Sequence, residues 1–440
     1  MSSLANRAER RAARLLRRTV TVGKAAVPMR QGPIAAALRP IASRVERLLV
    51  ALESPGESRR TARLREAVET TPNDSEQWFQ LGLQLAGLHR TDEAVEALLR
   101  AAEQGESLRT ALRVLINRDS LLAVVDNEEH VRRVLRIAEA SPGSPVVQLT
   151  VGAFMLDLGR LETGRELVRR GYQLRYPDLL ASGEADALAH GPTLAPSFFV
   201  IGPHKSGTTS LYSLLVQHPR VVAGPRKELR FLGNTRGRAP EVYDAYFPRL
   251  GPELGFVVGD ASPAYLRSHE AAQTVSERFP QAKVIVLHRE PVARAYSDFQ
   301  MHERTGLGAL EFDEVIAAEL RRVGDMPPLE FAEVPDVHAP FLLGSCILPY
   351  VKMWIDILGP DRVLVVESSF LSRHRDEALA GIHEYLDLPP APVPASPDRN
   401  VAEYAPISPA SAARLREWFA PHEAALDQFL ATHPARIPAR

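Results

Sequence analysis

The chain has 440 residues, which at about 150 per domain is enough for roughly three folded units. Its 45% hydrophobic and 24% charged content is that of an ordinary soluble globular protein. Lys and Arg total 53 against 54 Asp and Glu, and a net charge of −1 excludes a protein that coats nucleic acid along its whole length.

That charge is unevenly spread. Residues 1–50 hold ten Arg and Lys24 against Glu9 and Glu46, a net of +9, which leaves −10 for the rest. Residues 1–60 therefore read as a basic, partly helical arm. Ala8–Arg18 suits a helix with Leu15 and Leu16 on one side, and Gly32-Pro33, Pro40 and Ser54-Pro55-Gly56 break the remainder of the arm. Two readings fit it, a solvated arm and a helix lying peripherally on an anionic membrane; its thin apolar face favours the first. The arm has no uninterrupted apolar core, so it does not read as a secretory signal. No run in the chain approaches the about 18–20 apolar residues of a membrane span. The single cysteine, Cys346, excludes an intrachain disulfide and a cysteine-only metal cage, and fits a reducing compartment. A cytoplasmic protein is expected, with peripheral membrane contact as the alternative.

Residues 61–180 consist of helix-length segments with few β-branched runs. Trp78-x-x-Leu81-Gly82-x-x-Leu85, followed by Ala94 and Leu98, places small residues where paired helices approach and large ones in the seam. A shift of 70 sets Pro72 on Pro142, Gly82 on Gly152, Leu88 on Leu158, Arg90 on Arg160 and Leu98 on Val168. Seventy is close to two repeats of about 34 residues, so a degenerate copy is expected over Ser107–Ala140. The region resembles a short array of tetratricopeptide repeats, which implies a module that docks a protein partner; a generic helical bundle is the alternative. Arrays this short are marginal alone, so this one is expected to pack on its neighbour.

Residues 181–196, with Ser182-Gly183 and Gly191-Pro192, read as a linker to a second domain over 197–432. There, short apolar strands at Ser197–Gly202, Phe256–Gly259, Lys283–Leu287 and Val363–Val366 alternate with helices. The helices are expected at Thr208–Gln217, His269–Phe279, Val292–Glu303, Phe312–Arg321, Leu348–Leu358, Asp376–Leu386 and Pro409–Leu430. Continuous apolar strands between helices indicate an α/β domain, a parallel sheet flanked by helices on both faces. Ligands of such sheets bind at the carboxyl ends of the strands.

The turn after the first strand is Gly202-Pro203-His204-Lys205-Ser206-Gly207-Thr208-Thr209-Ser210. It aims backbone N–H groups at one point at the positive end of a helix dipole, and adds the Lys205 charge and the hydroxyls of Ser206, Thr208 and Thr209. This is a phosphate cradle, similar to a P-loop. It differs from the nucleotide-triphosphate loop, which places Lys after the second Gly; here Lys205 precedes Gly207. No Asp suited to magnesium comes after a later strand, because Lys283–Leu287 runs into His288-Arg289-Glu290. A metal-free site is expected.

The order Gly-x-x-Lys-Ser-Gly-Thr-Thr-Ser-Leu resembles the 5′-phosphosulfate loop of sulfotransferases that use 3′-phosphoadenosine 5′-phosphosulfate (PAPS). Its Ser-Leu-Tyr ending is closer to the carbohydrate, heparan-modifying type. Three further segments match in order: Lys227-Glu228-Leu229-Arg230-Phe231-Leu232; Gly259-Asp260-Ala261-Ser262-Pro263-Ala264-Tyr265; and Val286-Leu287-His288-Arg289-Glu290-Pro291 continuing to Ser297. The resemblance implies a sulfotransferase fold and Glu228 as catalytic base. It implies that Lys205, Ser206, Gly207, Thr208, Thr209 and Ser210 bind the 5′-phosphosulfate, with Lys205 also catalytic. Arg289 and Ser297 would hold the 3′-phosphate, for which a guanidinium fork is well suited. Asp398-Arg399-Asn400 with Tyr404 only weakly matches the family's C-terminal loop.

The expected reaction is transfer of a sulfuryl group from PAPS to a hydroxyl or amine of a glycan or glycolipid. Competing readings are sulfation of a peptide tyrosine, a repeat scaffold with a relic catalytic domain, a P-loop kinase, and a nucleic-acid binder resting on the arm alone. The kinase lacks its Lys position and metal Asp, and no nucleic-acid partner is expected.

Overall fold

In the computed structural model the described residues are 59–177, 193–233, 238–250, 255–304, 311–323, 340–392, 405–433 and 436–437. The expected arm helix, most of the 181–196 linker and the 398–404 segment lie outside them. The chain divides into two compact units, residues 1–134 and 135–440.

The first unit is helical: α1 Arg59–Thr70, α2 Ser75–Gly87, α3 Thr91–Glu103, α4 Leu108–Asn117, α5 Asp119–Val125 and the start of α6 Glu128–Ala140. Asp74 caps α2 by accepting from the N–H groups of Glu76 and Gln77, each at 3.0 Å. A Cβ on Gly82 would lie 2.7 Å from Leu98 Cγ, so a small residue is required where α2 crosses α3.

The second unit opens with the end of α6 and a helical hairpin, α7 Pro145–Asp157 and α8 Leu161–Arg175. Seventy residues on from the first hairpin, Ser144 caps α7, and a Cβ on Gly152 would lie 2.8 Å from Val168 N. The same cap position and the same helix–helix approach thus recur at the spacing read from the sequence.

The rest of the unit is an α/β domain. β1 Phe198–Ile201, α9 Thr208–Leu215, β2 Val221–Val222, α10 Pro240–Asp244, β3 Val257–Asp260, α11 His269–Arg278 and β4 Lys283–His288 come in order. Then come α12 Pro291–Arg304, α13 Phe312–Val323, α14 Pro340–Leu343, α15 Leu348–Leu358, β5 Val363–Glu367, α16 Ser368–Arg373, α17 Arg375–Tyr385, α18 Pro409–Thr432 and β6 Arg436–Ile437. All strand pairs are parallel, in the order β2-β3-β1-β4-β5-β6. The four expected strands form its middle. The two-residue edges β2 and β6 are too short to carry an alternation signal.

Period-two alternation explains the two cores. Phe199, Ile201, Val284, Val286 and Val365 face one way, and Phe198, Val200, Ile285, Leu287 and Val366 the other. The first core does not stop at the α/β domain. Leu149, Ala153 and Leu156 of α7 and Val168 and Tyr172 of α8 belong to the same buried cluster as Phe199, Tyr243 and Tyr246. Tyr172 also donates its hydroxyl to Tyr246 O at 2.9 Å.

Candidate functional site

The carboxyl ends of β1, β3, β4 and β5 meet where the motifs were read. β1 runs into Gly202, whose Cβ, were there one, would lie 2.4 Å from Leu287 O of β4; the close pairing of β1 with β4 demands glycine. The chain then turns through Lys205 (φ 72°) and Gly207 (φ 88°). Gly207 caps α9 without a side chain, so no side-chain cap fills the first turn of N–H groups. Ser206 is fully buried and its Oγ has no hydrogen-bond partner among the described residues. Thr208 is buried, while Thr209 and Ser210 are half-buried. Left-handed Lys205, a helix start with no side-chain cap and an orphaned hydroxyl thus come together at one turn.

Two side chains to which the motifs gave no role hold this loop, and a third caps the helix after β4. Ser368, at the start of α16, places its Oγ 2.5 Å from Ser206 O and 2.6 Å from His288 O, tying the loop to the end of β4. Arg294 of α12, 1% exposed, donates to His204 O at 3.3 Å, Ser345 Oγ at 2.6 Å, Asp298 Oδ2 at 3.0 Å and Phe341 O at 2.7 Å. Glu290 caps α12, accepting from Val292 N at 3.1 Å and Ala293 N at 2.6 Å. Only the last had a sequence signal, an acidic residue before a proline-led helix.

Arg289 comes directly after β4 and donates from NH1 to Lys205 O at 3.0 Å, which brings two separate motifs together. Ser297 lies buried on α12, two turns further along.

Glu228 sits on an irregular segment between β2 and α10. Both Glu228 (φ 64°) and Arg230 (φ 52°) are left-handed. The segment keeps this shape because the stretch after β3 takes up its backbone. Glu228 N donates to Ala261 O at 3.1 Å and Arg230 N to Ser262 Oγ at 3.1 Å. Phe231 N and Leu232 N donate to Tyr265 OH at 2.9 and 3.2 Å. Asp260 anchors that stretch, accepting from Ser262 Oγ at 2.7 Å, Tyr265 OH at 2.8 Å and Tyr243 OH at 3.1 Å. Burial pushes the Asp260 carboxyl upward, and these bonds oppose the shift. The Gly-Asp-x-Ser-Pro-x-Tyr pattern is therefore the mount of the Glu228 segment. The Glu228 side chain, 16% exposed, faces Lys227 Nζ at 2.7 Å and Arg230 NH2 at 3.1 Å, one cation on each oxygen. Arg226, two residues before Glu228, pairs with Asp157. His204 keeps part of its surface open to solvent, yet the protein packed around its ring lowers its pKa, against the opposing charge of Glu228.

Among the described residues, no group of three or more His, Cys, Asp or Glu is arranged to hold a metal. Cys346 is buried, which pushes its thiol up to about 12. No described helix is long and apolar enough to cross a membrane.

Comparison with known proteins agrees with this layout. Residues 195–394 match the family model of the sulfotransferase domain. This stretch, a little under half of the chain, is similar to a sulfotransferase domain. A heparan sulfate N-deacetylase/N-sulfotransferase of Mus musculus is 27% identical over 209 residues, covering 44% of this chain and 22% of the relative. A membrane-associated sulfotransferase of Dictyostelium discoideum is 32% identical over 105 residues, 24% of this chain and 22% of the relative. The chain thus spans about a fifth of the length of these curated relatives. A solved sulfotransferase from Alicyclobacillus acidocaldarius aligns over 53% of this chain and 95% of its own, at 25% identity and a TM-score of 0.45. The matched stretch contains the β1 loop, the Glu228 segment, the Gly259–Tyr265 segment and the Arg289–Ser297 element, while the helices before residue 195 and the 398–404 segment lie outside it.

Proposed function

We propose that the chain transfers a sulfuryl group from PAPS to a hydroxyl or amine of a glycan or glycolipid. The observation that carries this reading is the Arg289–Lys205 contact, which joins the β1 loop to the β4 element beside the Glu228 segment. The chemistry of the loop fits a phosphosulfate: Lys205, the N–H groups of Gly207 to Thr209 and the unpartnered Ser206 hydroxyl supply donors for the leaving 5′-phosphate. Arg289 and Ser297 would hold the 3′-phosphate and so select this nucleotide over simple adenylates. Glu228 would accept the acceptor's proton while the acceptor atom bonds to sulfur and the bond from sulfur to the 5′-phosphate oxygen breaks. Before that, one of its two cations must be displaced or shared with the acceptor.

The name of the heparan sulfate relatives, which are N-sulfotransferases, supports a glycan acceptor. The helices before the matched stretch are proposed to present the acceptor or a protein partner.

Incubation of the full chain with sulfur-labelled PAPS and a panel of N-desulfated heparan sulfate, glycolipid and tyrosine peptide tests the reading. Label is expected in a carbohydrate fraction, with release of the 3′,5′-bisphosphate. No label in any acceptor, together with equal affinity for the bisphosphate and adenosine 5′-phosphate, overturns it.

A further inference from the structure

The helical hairpin that precedes the sulfotransferase domain reaches into the mount of Glu228 through one carboxylate. Asp157 ends α7, lies outside the 195–394 match, and its side chain is 4% exposed. Arg226 grips it with both terminal nitrogens, NH2 at 2.8 Å from Oδ1 and NH1 on Oδ2. The same NH2 also donates to Leu229 O at 3.3 Å. The guanidinium therefore spans the turn from residue 226 to residue 229, and Glu228 sits inside that span. Arg238 NH1 donates to Asp157 Oδ1 at 3.1 Å, and its guanidinium covers the Phe231 ring 4.7 Å from the centroid. Tyr246 OH completes the set at 2.8 Å. Two arginines that bracket residues 226–231 from either side thus converge on one buried carboxylate.

We propose that Asp157 is a positioning residue for Glu228: it fixes Arg226 and Arg238 so that the left-handed Glu228 backbone presents its carboxylate to the acceptor. The proposal rests on the reading of Glu228 as base. It explains an ionic cluster that a purely structural hairpin does not require, since well-packed apolar residues of similar volume stabilise a buried position at least as well. It also gives the hairpin a part in turnover. Nucleotide binding is left to the β1 loop and Arg289, which Asp157 does not touch.

The test uses the full chain with Asp157→Asn, Asp157→Glu, Arg226→Gln, the Asp157→Asn/Arg226→Gln double variant, and Glu228→Gln as reference. Turnover is measured at saturating PAPS with N-desulfated heparan sulfate as the probe acceptor, and affinity for the 3′,5′-bisphosphate by calorimetry. Misplacing a reacting group by about 1 Å costs roughly 100-fold, and a kcat loss of that order is expected for Asp157→Asn and Arg226→Gln. The double variant is expected to be no slower than the slower single one, Asp157→Glu to regain most of the rate, and bisphosphate affinity to hold throughout. If Asp157→Asn does not fold, Arg226→Gln carries the test, because it removes one buried charge instead of stranding two. Amide hydrogen exchange over residues 227–232 gives a readout that needs no acceptor; it should quicken in both variants while β1 and β4 stay protected. Parental kcat in Asp157→Asn beside an inactive Glu228→Gln overturns the proposal alone, as do unchanged exchange over 227–232 and bisphosphate affinity falling in step with kcat. Parental kcat in Glu228→Gln removes the underlying reading as well.

Discussion

Glu228 carries two cations on one carboxylate, and that arrangement allows both a base held in reserve and a plain ion pair. The two roles separate on substitution by Gln, which keeps the size and one acceptor oxygen but takes no proton at neutral pH. Loss of a general base costs about 10²–10⁴ in rate, whereas ion pairs near the surface are worth about 0–1 kcal/mol of stability. Glu228→Gln is expected to lower turnover about 100-fold or more with melting temperature and bisphosphate affinity nearly unchanged. Steady-state kinetics beside calorimetry and thermal melting check this. Arg289 makes a different demand. On the proposed reading, its removal takes away a charge-assisted bond worth about 1.5–3 kcal/mol to the 3′-phosphate. Arg289→Ala should therefore erase most of the preference for the bisphosphate over adenosine 5′-phosphate. Calorimetric titration of both nucleotides without magnesium reads this directly, and an intact preference places the 3′-phosphate elsewhere.

Among the elements, α18 packs two titrating groups with opposite pH signatures beside the ends of β4 and β5. His422 is fully buried and accepts from Ile347 N at 3.0 Å; burial, then the neighbouring His288, lowers its pKa from 6.5 to about 4. A depressed folded value means that its contribution is present above pH 6.5 and is lost as pH falls towards 4. Glu423 behaves in the other sense. Burial, then Asp427, Glu290 and Glu367, raises its pKa from 4.5 to about 7. Its contribution is present below pH 4.5 and is lost as pH rises through 7. Glu423→Gln should remove the loss between pH 4.5 and 7 and raise stability at pH 8, by at most about 3 kcal/mol, while leaving the acid-side loss from His422. Thermal melts of both proteins from pH 4 to 8 decide it, and parallel pH profiles exclude Glu423 as the cause.

Across the whole chain, the hairpin α7–α8 shares a buried cluster with the sheet, and Tyr176 OH accepts from Ala223 N at 3.1 Å just ahead of the Glu228 segment. A linker over 181–196 by itself suggests that residues 1–185 are dispensable for nucleotide binding. The shared core argues for an earlier cut. Its loss would bare the partners of Leu149, Leu156, Val168 and Tyr172, and each large-to-small change in such a core costs about 2–5 kcal/mol. A chain lacking residues 1–134 should stay soluble and bind the bisphosphate, whereas one lacking 1–185 should aggregate or lose binding. Expression yield, melting temperature and calorimetry compare the two. Equal behaviour of both truncations would mean that the hairpin only decorates the sheet.

Local order alone determines the parts of this protein that are covalently contiguous. Four apolar strand runs, the Gly-Pro-His-Lys-Ser-Gly-Thr-Thr turn, the Arg289 strand end and the Glu228 segment are all legible as segments, because strand period, turn chemistry and a strand–loop–helix pattern each fit within about ten residues. The 70-residue spacing of Gly82 and Gly152 is legible for the same reason: a small residue is demanded at each helix crossing. Only the tertiary structure decided which distant groups hold these parts in place. Ser368 and Arg294 take up backbone carbonyls of the loop, and Asp157 pairs with Arg226 and Arg238 across 69 and 81 positions. A carbonyl that needs a donor leaves no mark on the residue that supplies it, and a buried carboxylate reads like a solvated one until the fold removes its water.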